Sequence, residues 1–251
     1  LAVQYDGTCF NGWQVQNSGR TVQGELERGL RVLLKQDCRT VASGRTDTGV
    51  HAIGQIVHFD CDHPDVTLQR LCIGLNGILE RDMSVVNAYR VGSDFHARYG
   101  AVRREYLYLV HNNPQRSPFT RFRAMWVPQS LDIDYLREAA HFLEGEKDFA
   151  SFCKKKSSVV NTVRMIEEIN ISKNDDMLVF RFRANAFLHN MIRIIVGTLI
   201  EMHKTGRQPG YIREILALEN RTFSGITAPP YGLYLHRVHY SPPLTGYESA
   251  F

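Results

Sequence analysis

The chain has 251 residues, of which 43% are hydrophobic and 22% are charged, and its formal net charge is +4. These values are typical of a folded globular protein and argue against disorder. No apolar run reaches membrane-spanning length, and no basic segment followed by an apolar one opens the sequence, so we expect neither membrane insertion nor export and predict a cytoplasmic protein. The small positive charge is compatible with a polyanionic partner but does not require one.

Metal and cofactor sites are not predicted. The five cysteines lack the paired spacing of a structural zinc site and the regular spacing of a disulfide framework, so we interpret them as reduced thiols. The sequence also contains no glycine-rich nucleotide fingerprint and no phosphate-binding loop. These cysteines are Cys9, Cys38, Cys61, Cys72 and Cys153.

The first part of the chain alternates strand and helix patterns. Residues 1–5 are strand-like, and leucines recur at helical spacing after Thr21, a plausible N-cap. Residues 40–42 and 55–60 follow as strand patterns, residues 68–79 as a helix, and residues 85–91 as a strand. The order β-α-β-β-α-β is the ferredoxin-like pattern, with an antiparallel sheet and both helices on one face.

The second part repeats these patterns with additions. Strand-like residues 104–110 precede a helical segment at 135–143 and a hairpin formed by residues 165–172 and 177–184. A long apolar stripe from Leu188 to Met202 predicts a helix, a shorter helix starts at Tyr211, and residues 233–240 form a last strand. We therefore predict two α+β halves, residues 1–97 and 98–251, although no sequence repeat relates them.

Residues 43–52 carry the densest chemistry. Arg45 and Asp47 stand between Gly44 and Gly49, which allow a tight, exposed connection between strands. A carboxylate kept ionised by a nearby cation is a competent nucleophile or general base. The competing interpretation is an ordinary polar turn, in which Thr46 and Asp47 bond their own backbone.

Basic and aromatic residues alternate in several segments. Arg104, Tyr106 and Tyr108 share one strand face, and an aromatic ring beside a cation suits a flipped base with its phosphate. Tyr106 could equally be packed within the sheet. Basic residues also cluster at positions 98–104, 116–123 and 154–156. Each cluster alone is also typical of a solvated face.

Residues 44–52, which read Gly-Arg-Thr-Asp-Thr-Gly-Val-His-Ala, closely resemble the active-site signature of the TruA family of tRNA pseudouridine synthases. Further matches follow in the family's order. They lie at residues 5–16, 104–108, 148–152, 186–193 and 232–235. The match at 186–193 is imperfect, because Ile192 replaces the usual valine, and Ile194 just beyond it replaces the usual asparagine.

The resemblance implies a role for five residues. Asp47 is the expected nucleophile, Tyr106 is expected to stack on the target uracil, and Arg193 is expected to pair with Asp47. Leu233 would contact the base opposite the tyrosine, but it is equally explicable as a core residue. Arg45 is the residue best placed to fill or brace the position of a base flipped out of its stem. Arg193 could alternatively form a structural ion pair with another acid.

The reaction that the resemblance implies is isomerisation of uridine to pseudouridine at positions 38, 39 and 40 of the tRNA anticodon stem-loop. The N1–C1′ bond breaks and the base rejoins through C5, without a cofactor or metal. Asp47 could attack C1′ of the ribose or C6 of the base. A tRNA-binding protein or chaperone without turnover is the main alternative, and an enzyme with different target uridines is another.

The resemblance also implies an assembly. Family members act as homodimers, with the tRNA crossing both subunits. Within each subunit, the two ferredoxin-like halves would share a central antiparallel sheet, with the active-site cleft at their junction.

Overall fold

The protein is described from a computed structural model that covers residues 1–62, 66–154 and 161–251. Lys155 and Lys156 of the third basic cluster lie outside these residues. The chain forms two compact units: the first combines Leu1–Arg104 with Tyr234–Phe251, and the second is Glu105–Leu233. Within the described ranges, no helix is both long and apolar enough to cross a membrane.

Twelve strands and five helices are numbered along the described part of the chain. The helices are α1 (Val22–Leu34), α2 (Leu68–Ile78), α3 (Ile133–His141), α4 (Met191–Lys204) and α5 (Tyr211–Ala217). The strands are β1 (Ala2–Tyr5), β2 (Val41–Ala42), β3 (His51–His58), β4 (Met83–Asn87), β5 (Tyr89–Arg90), β6 (Ala101–Asn112), β7 (Met125–Val127), β8 (Gly145–Asp148), β9 (Val163–Asn174), β10 (Met177–Ala184), β11 (Leu233–Tyr240) and β12 (Glu248–Ser249).

The sheet of the first unit has the order β4-β1-β3-β11. Strand β1 is antiparallel to both of its neighbours, β2 pairs antiparallel with the end of β3, and β11 pairs parallel with its start. The predicted element order β-α-β-β-α-β is observed. Two boundaries differ: β3 begins at His51, four residues before Gln55, and the predicted strand 85–91 is divided because β5 pairs with β12 instead of joining the sheet.

Helices α1 and α2 pack against each other in the first unit. The Thr21 hydroxyl accepts a hydrogen bond from Gly24 N at 3.3 Å, which confirms the predicted N-cap. Leu26 and Leu30 are fully buried one turn apart. Gly29 allows close approach, since a Cβ placed there would lie 3.3 Å from the Leu75 side chain of α2.

The second unit has a sheet of order β6-β10-β9-β8, to which β7 adds in parallel beside β6. The predicted hairpin is β9 and β10, and Phe180 and Phe182 of β10 are fully buried. Helix α4 begins at Met191, later than the stripe starting at Leu188 predicted, because Asn190 has a left-handed backbone with φ of 62°.

The division of the chain differs from the expected one at residues 97 and 98. Residues 98–104 and the last strand belong to the first unit. The reason is the pairing of β11 with β3, in which Tyr234 lies opposite His51 and their rings stack with centroids 4.6 Å apart.

Candidate active site

The loop that carries Asp47 connects β2 to β3 in the first unit. Arg45 is exposed, whereas Asp47 is half-buried. A turn follows at once: Val50 N donates to the carbonyl oxygen of Asp47 at 3.1 Å, and Gly49 has a φ of 79°. Glycine adopts this left-handed conformation without steric cost, as the sequence predicted for a tight connection.

A buried polar network fixes the backbone of this loop. Gln55 is fully buried on β3, accepts a hydrogen bond from Ser43 Oγ at 2.7 Å, and donates to the carbonyl oxygen of Gly44 at 2.8 Å and to Tyr5 OH at 3.4 Å. Tyr5 OH also lies 2.8 Å from Thr46 Oγ1. Buried hydrogen bonds of this kind fix geometry, because each group loses its partner if the loop moves.

Tyr5 is an uncharged member of this network. Burial raises the pKa of its phenol to about 12, and the hydrogen bonds to Thr46 and Gln55 oppose that shift. The hydroxyl therefore keeps its proton at neutral pH. It can accept from Gln55 while donating to Thr46, one residue before Asp47.

A second loop, residues 6–16, braces the Asp47 loop from another side. Trp13 is 2% exposed, and its backbone N–H donates to the carbonyl oxygen of Thr46 at 3.0 Å. Gly12 has a φ of 81°, and a Cβ placed on it would lie 2.7 Å from that same oxygen. The glycine-rich loop with a buried tryptophan is thus a structural support of the candidate site.

Arg104 ties the start of β6 to the same region. Its guanidinium donates to the carbonyl oxygens of Arg98 at 2.6 Å, Ala101 at 3.2 Å and Ser43 at 3.2 Å. These contacts give Arg104 a structural role within the first unit. Arg45, in contrast, is exposed to solvent, and its expected effect on the charge of Asp47 stays a prediction.

Tyr106 lies on β6 in the second unit and is 9% exposed. Its ring meets that of Phe187 edge to face, with centroids 5.2 Å apart. Glu105 is also buried, so burial does not alternate along this strand as the polar-apolar pattern predicted. Tyr108 is fully buried, and its hydroxyl donates to the carbonyl oxygen of Pro229 at 2.8 Å.

Arg193 stands in the first turn of α4 and is half-buried. Its Nε donates to the carbonyl oxygen of Ala228 and its Nη1 to Asn190 Oδ1, each at 2.8 Å. Burial raises the pKa of Tyr108, and the Arg193 charge partly opposes that shift. The two hydrogen bonds give Arg193 a defined orientation.

Leu233 is the first residue of β11 and is 7% exposed. The preceding Gly232 packs on Tyr108, since a Cβ placed there would lie 2.7 Å from that ring. This burial agrees with a core position for Leu233. It does not test the contact with a base that the resemblance implies.

No group of three histidine, cysteine, aspartate or glutamate side chains is arranged to hold a metal ion among the residues that the structure covers. All five cysteines are free thiols. The residue that sequence reasoning missed is Gln55, which was read only as part of a strand. Its immediate neighbours in the sequence do not indicate a role in the site, because its hydrogen-bond partners Tyr5 and Gly44 lie far from it along the chain.

The family model described as tRNA pseudouridine synthase matches residues 1–100 and 139–241. The chain is therefore an RNA-modifying isomerase. Three similar proteins are all named tRNA pseudouridine synthase A. The protein of Bacillus pumilus is 45% identical, over 95% of this chain and 97% of its own length. The protein of Paraburkholderia xenovorans is 43% identical, over 96% of this chain and 88% of its own length. The protein of Leptospira biflexa is 41% identical, over 96% of this chain and 92% of its own length.

The chain belongs to the TruA family of tRNA pseudouridine synthases, which confirms the resemblance seen at residues 44–52. Its reaction is the isomerisation of uridine to pseudouridine in tRNA.

Proposed function

We propose that Asp47 is the nucleophile of this isomerisation and that the target uridines lie at positions 38, 39 and 40 of the anticodon stem-loop. The observation that carries the proposal is the geometry of the Asp47 loop. Its backbone is fixed through Ser43, Gly44 and Thr46 by buried hydrogen bonds, while the Asp47 side chain stays half-exposed. A fixed backbone with an accessible carboxylate is what an oriented nucleophile requires.

The chemistry balances without an outside reactant. Asp47 adds either to C1′, where it displaces the uracil by cleavage of the N1–C1′ bond, or to C6 across the C5–C6 double bond. In the second route the N1–C1′ bond then breaks, the base rotates while attached to Asp47 through C6, and the C6–O bond breaks at the end. In both routes C5 bonds to C1′, C5 then loses its proton, and N1 ends protonated. Both routes remain open, and in both the Asp47 carboxylate is regenerated.

The other candidate residues have supporting roles in this proposal. Tyr106 would stack on the target uracil, since its ring is already held edge to face by Phe187. Arg193 would pair with Asp47, and its orientation by Asn190 and Ala228 supports a positional role. Exposed Arg45 would occupy the place of the flipped base, and Leu233 would contact the base from the opposite side.

We also propose the finer organisation that the family membership suggests. The protein would act in the cytoplasm as a homodimer, with two ferredoxin-like halves sharing a central antiparallel sheet and a cleft at their junction. The element order of the first unit supports the ferredoxin-like description of that half.

The test is Asp47→Asn, which keeps the shape of the side chain and removes its charge and nucleophilicity. Tritium release from 5-tritiated uridine in an unmodified tRNA should fall by several orders of magnitude, as is typical for loss of a covalent catalyst. Asp175→Asn in the β9–β10 turn is the matched control, because asparagine tolerates its φ of 50°. Mapping the modified positions in the wild-type reaction tests the target assignment.

A double-mutant cycle tests the pairing with Arg193. Arg193→Ala alone should also reduce turnover strongly, and the double variant should be far less impaired than the product of the two single effects. Substantial turnover by folded Asp47→Asn protein, with deamidation back to aspartate excluded by mass spectrometry, would remove Asp47 from the mechanism. Multiplicative effects of the two substitutions would separate Arg193 from Asp47.

A further inference from the structure

The connection from β6 to β7 in the second unit exposes aromatic side chains next to arginines. We call residues 113–124 the basic-aromatic loop. Phe119 at its tip is 91% exposed, more than any other large hydrophobic side chain in the described ranges, and Phe122 is 40% exposed. Trp126, just beyond the loop on β7, is 43% exposed. Exposed aromatic groups clustered in this way mark interaction surfaces.

The loop holds Phe119 outward through its own hydrogen bonds. Ser117 Oγ accepts from Phe119 N at 3.3 Å, and Thr120 Oγ1 donates to the carbonyl oxygen of Ser117 at 3.1 Å. Arg123 N and Ala124 N both donate to the carbonyl oxygen of Thr120, at 2.9 and 3.0 Å. The backbone that carries the exposed ring is therefore preorganised, which lowers the entropy cost of ordering the loop on binding a partner.

The charge on this loop has one sign. It contains Arg116, Arg121 and Arg123, and no aspartate or glutamate occurs from residue 113 to residue 131. Neither Arg116 nor Arg121 forms an ion pair within the described ranges. At the base of the loop, Asp176 accepts a hydrogen bond from Asn113.

One arginine is already stacked on an aromatic ring. The Arg121 guanidinium carbon lies 4.5 Å from the centroid of Phe122, and Phe122 in turn meets Tyr231 edge to face at 6.1 Å. This arrangement places a cation beside a fixed aromatic face. A phosphate bound by Arg121 would therefore lie within reach of a base stacked on Phe119.

We propose that the basic-aromatic loop is a second tRNA contact, in which Phe119 stacks on an unpaired base and Arg116 and Arg121 bind the adjoining phosphates. Alternation of aromatic faces and cations is the arrangement that binds single-stranded nucleic acid irrespective of sequence. The inference rests on tRNA being the substrate and does not depend on the role of Asp47.

The charge pattern favours RNA over a second copy of the chain. A two-fold symmetric contact centred on this loop would bring arginines against arginines. RNA supplies both a phosphate for each cation and a flat base for Phe119. A base-paired stem would offer the phosphates but not an accessible base face, so we assign the contact to an unpaired nucleotide.

The experiment measures binding of an unmodified tRNA transcript to full-length variants at several salt concentrations. Phe119→Ala should raise Kd on the order of tenfold, and Phe119→Tyr should restore binding, because stacking requires only the ring. Arg121→Ala should reduce the slope of log K against log salt by about 0.7 to 0.9. The matched controls are Phe223→Ala, at a ring that is 50% exposed, and Arg137→Ala, which removes an arginine already paired with Asp134.

Three results would overturn the proposal. The first is wild-type affinity of Phe119→Ala, and the second is an equal loss of affinity in the Phe223→Ala control. The third is a change in oligomeric mass of Phe119→Ala by light scattering, which would show that a second copy occupies the loop. The proposed function is judged separately, since tritium release by Asp47→Asn does not depend on any of these outcomes.

Discussion

At the scale of single residues, Gln55 connects three parts of the candidate site through one side chain. It bonds Ser43 and Gly44 at the start of the Asp47 loop and reaches Tyr5, whose hydroxyl bonds Thr46. All of these contacts are made within the protein, between β1, β3 and the Asp47 loop. Gln55 is therefore a positioning residue, and its effect on turnover should pass through the placement of Asp47.

We predict that Gln55→Leu lowers kcat about a hundredfold while KM for tRNA changes little, since a displacement near 1 Å at a reacting group has an effect of that order. Buried groups left without partners should also reduce the free energy of unfolding by about 3 kcal/mol. Steady-state kinetics and thermal melts measure the two effects.

Asn112→Leu is the control for this change. Asn112 is also buried, and its side chain donates to the carbonyl oxygens of Val127 and Gln129 within the second unit. It should lose stability with kcat nearly unchanged. Similar losses of kcat in both variants would reduce Gln55 to a general stability role.

Tyr106 allows the ring and the hydroxyl to be separated. Tyr106→Ala should abolish most turnover, because both the stacking face and the contact with Phe187 are lost. Tyr106→Phe keeps the ring and should keep tRNA binding. Slowed release of the C5 proton in Tyr106→Phe would assign the hydroxyl an acid-base role, and normal release would assign it none.

Tyr108→Phe is the matched control, since its hydroxyl bonds the carbonyl oxygen of Pro229 inside the second unit. It should reduce stability by about 1 kcal/mol and leave the proton-release step unchanged. Unchanged binding and turnover in Tyr106→Ala would return Tyr106 to the sheet core, the alternative that its burial also permits.

At this scale the signature at residues 44–52 predicts roles for Asp47 and Arg45, and these roles stay predictions. The sequence does not indicate the residues that support the loop. The partners of Gln55 come from β1 and from the start of the Asp47 loop, and no local pattern specifies which strands bring them together.

At the scale of elements, the loop of residues 6–16 packs against the loop that carries Asp47. Gly12 makes this possible, because its φ of 81° and the 2.7 Å approach of a Cβ to Thr46 O both exclude an ordinary side chain. The hydrogen bond from Trp13 N to Thr46 O forms because Gly12 lets the two loop backbones come this close.

We predict that Gly12→Ala destabilises the protein by about 1 to 3 kcal/mol, the usual range for a strained left-handed residue, and lowers kcat. Gly77→Ala in α2 is the control, since nothing lies within 4 Å of its added Cβ. That change should be neutral or stabilising by up to about 1 kcal/mol. Equal melting temperatures for the two variants would contradict the proposed contact.

Helix and strand patterns predicted most elements, and the boundaries show what such patterns lack. The apolar stripe of α4 gave the helix, but its start at Met191 is set by the backbone of Asn190, which hydrophobic spacing does not report. The pattern at residues 85–91 gave one strand. It is divided because β5 pairs with β12, a segment far along the chain.

At the scale of the whole molecule, the chain leaves the first unit after Arg104 and returns to it at Tyr234. Local patterns identified β11 as a strand but could not identify its partner, and the expected division of the chain therefore placed it in the second half. The pairing of Tyr234 with His51 and of Leu235 with Ala52 makes the last strand part of the first unit.

This arrangement predicts different outcomes for two truncations. A chain ending at Tyr240 loses β12 and the hydrogen bond from Ala250 N to Ala88 O, but keeps β11. A chain ending at Leu233 also loses the buried Leu235 and Val238 and the hydrogen bond from Tyr240 OH to Ala97 O at 2.6 Å. Each buried side chain contributes about 2 kcal/mol, so the second loss approaches the whole stability of a typical domain.

The chain ending at Tyr240 should have a melting temperature lower by a few degrees and should keep tRNA turnover. The chain ending at Leu233 should lose hydrogen-exchange protection in β1, β3 and α1. Elements β9, β10 and α4 of the second unit should stay protected, because their pairing and packing lie within residues 105–233. Hydrogen-exchange mass spectrometry on both chains measures this difference. Retained protection of β3 without β11, or joint loss of protection in β9 and β10, would show that the last strand does not hold the first unit in the way its pairing with His51 and Ala52 indicates.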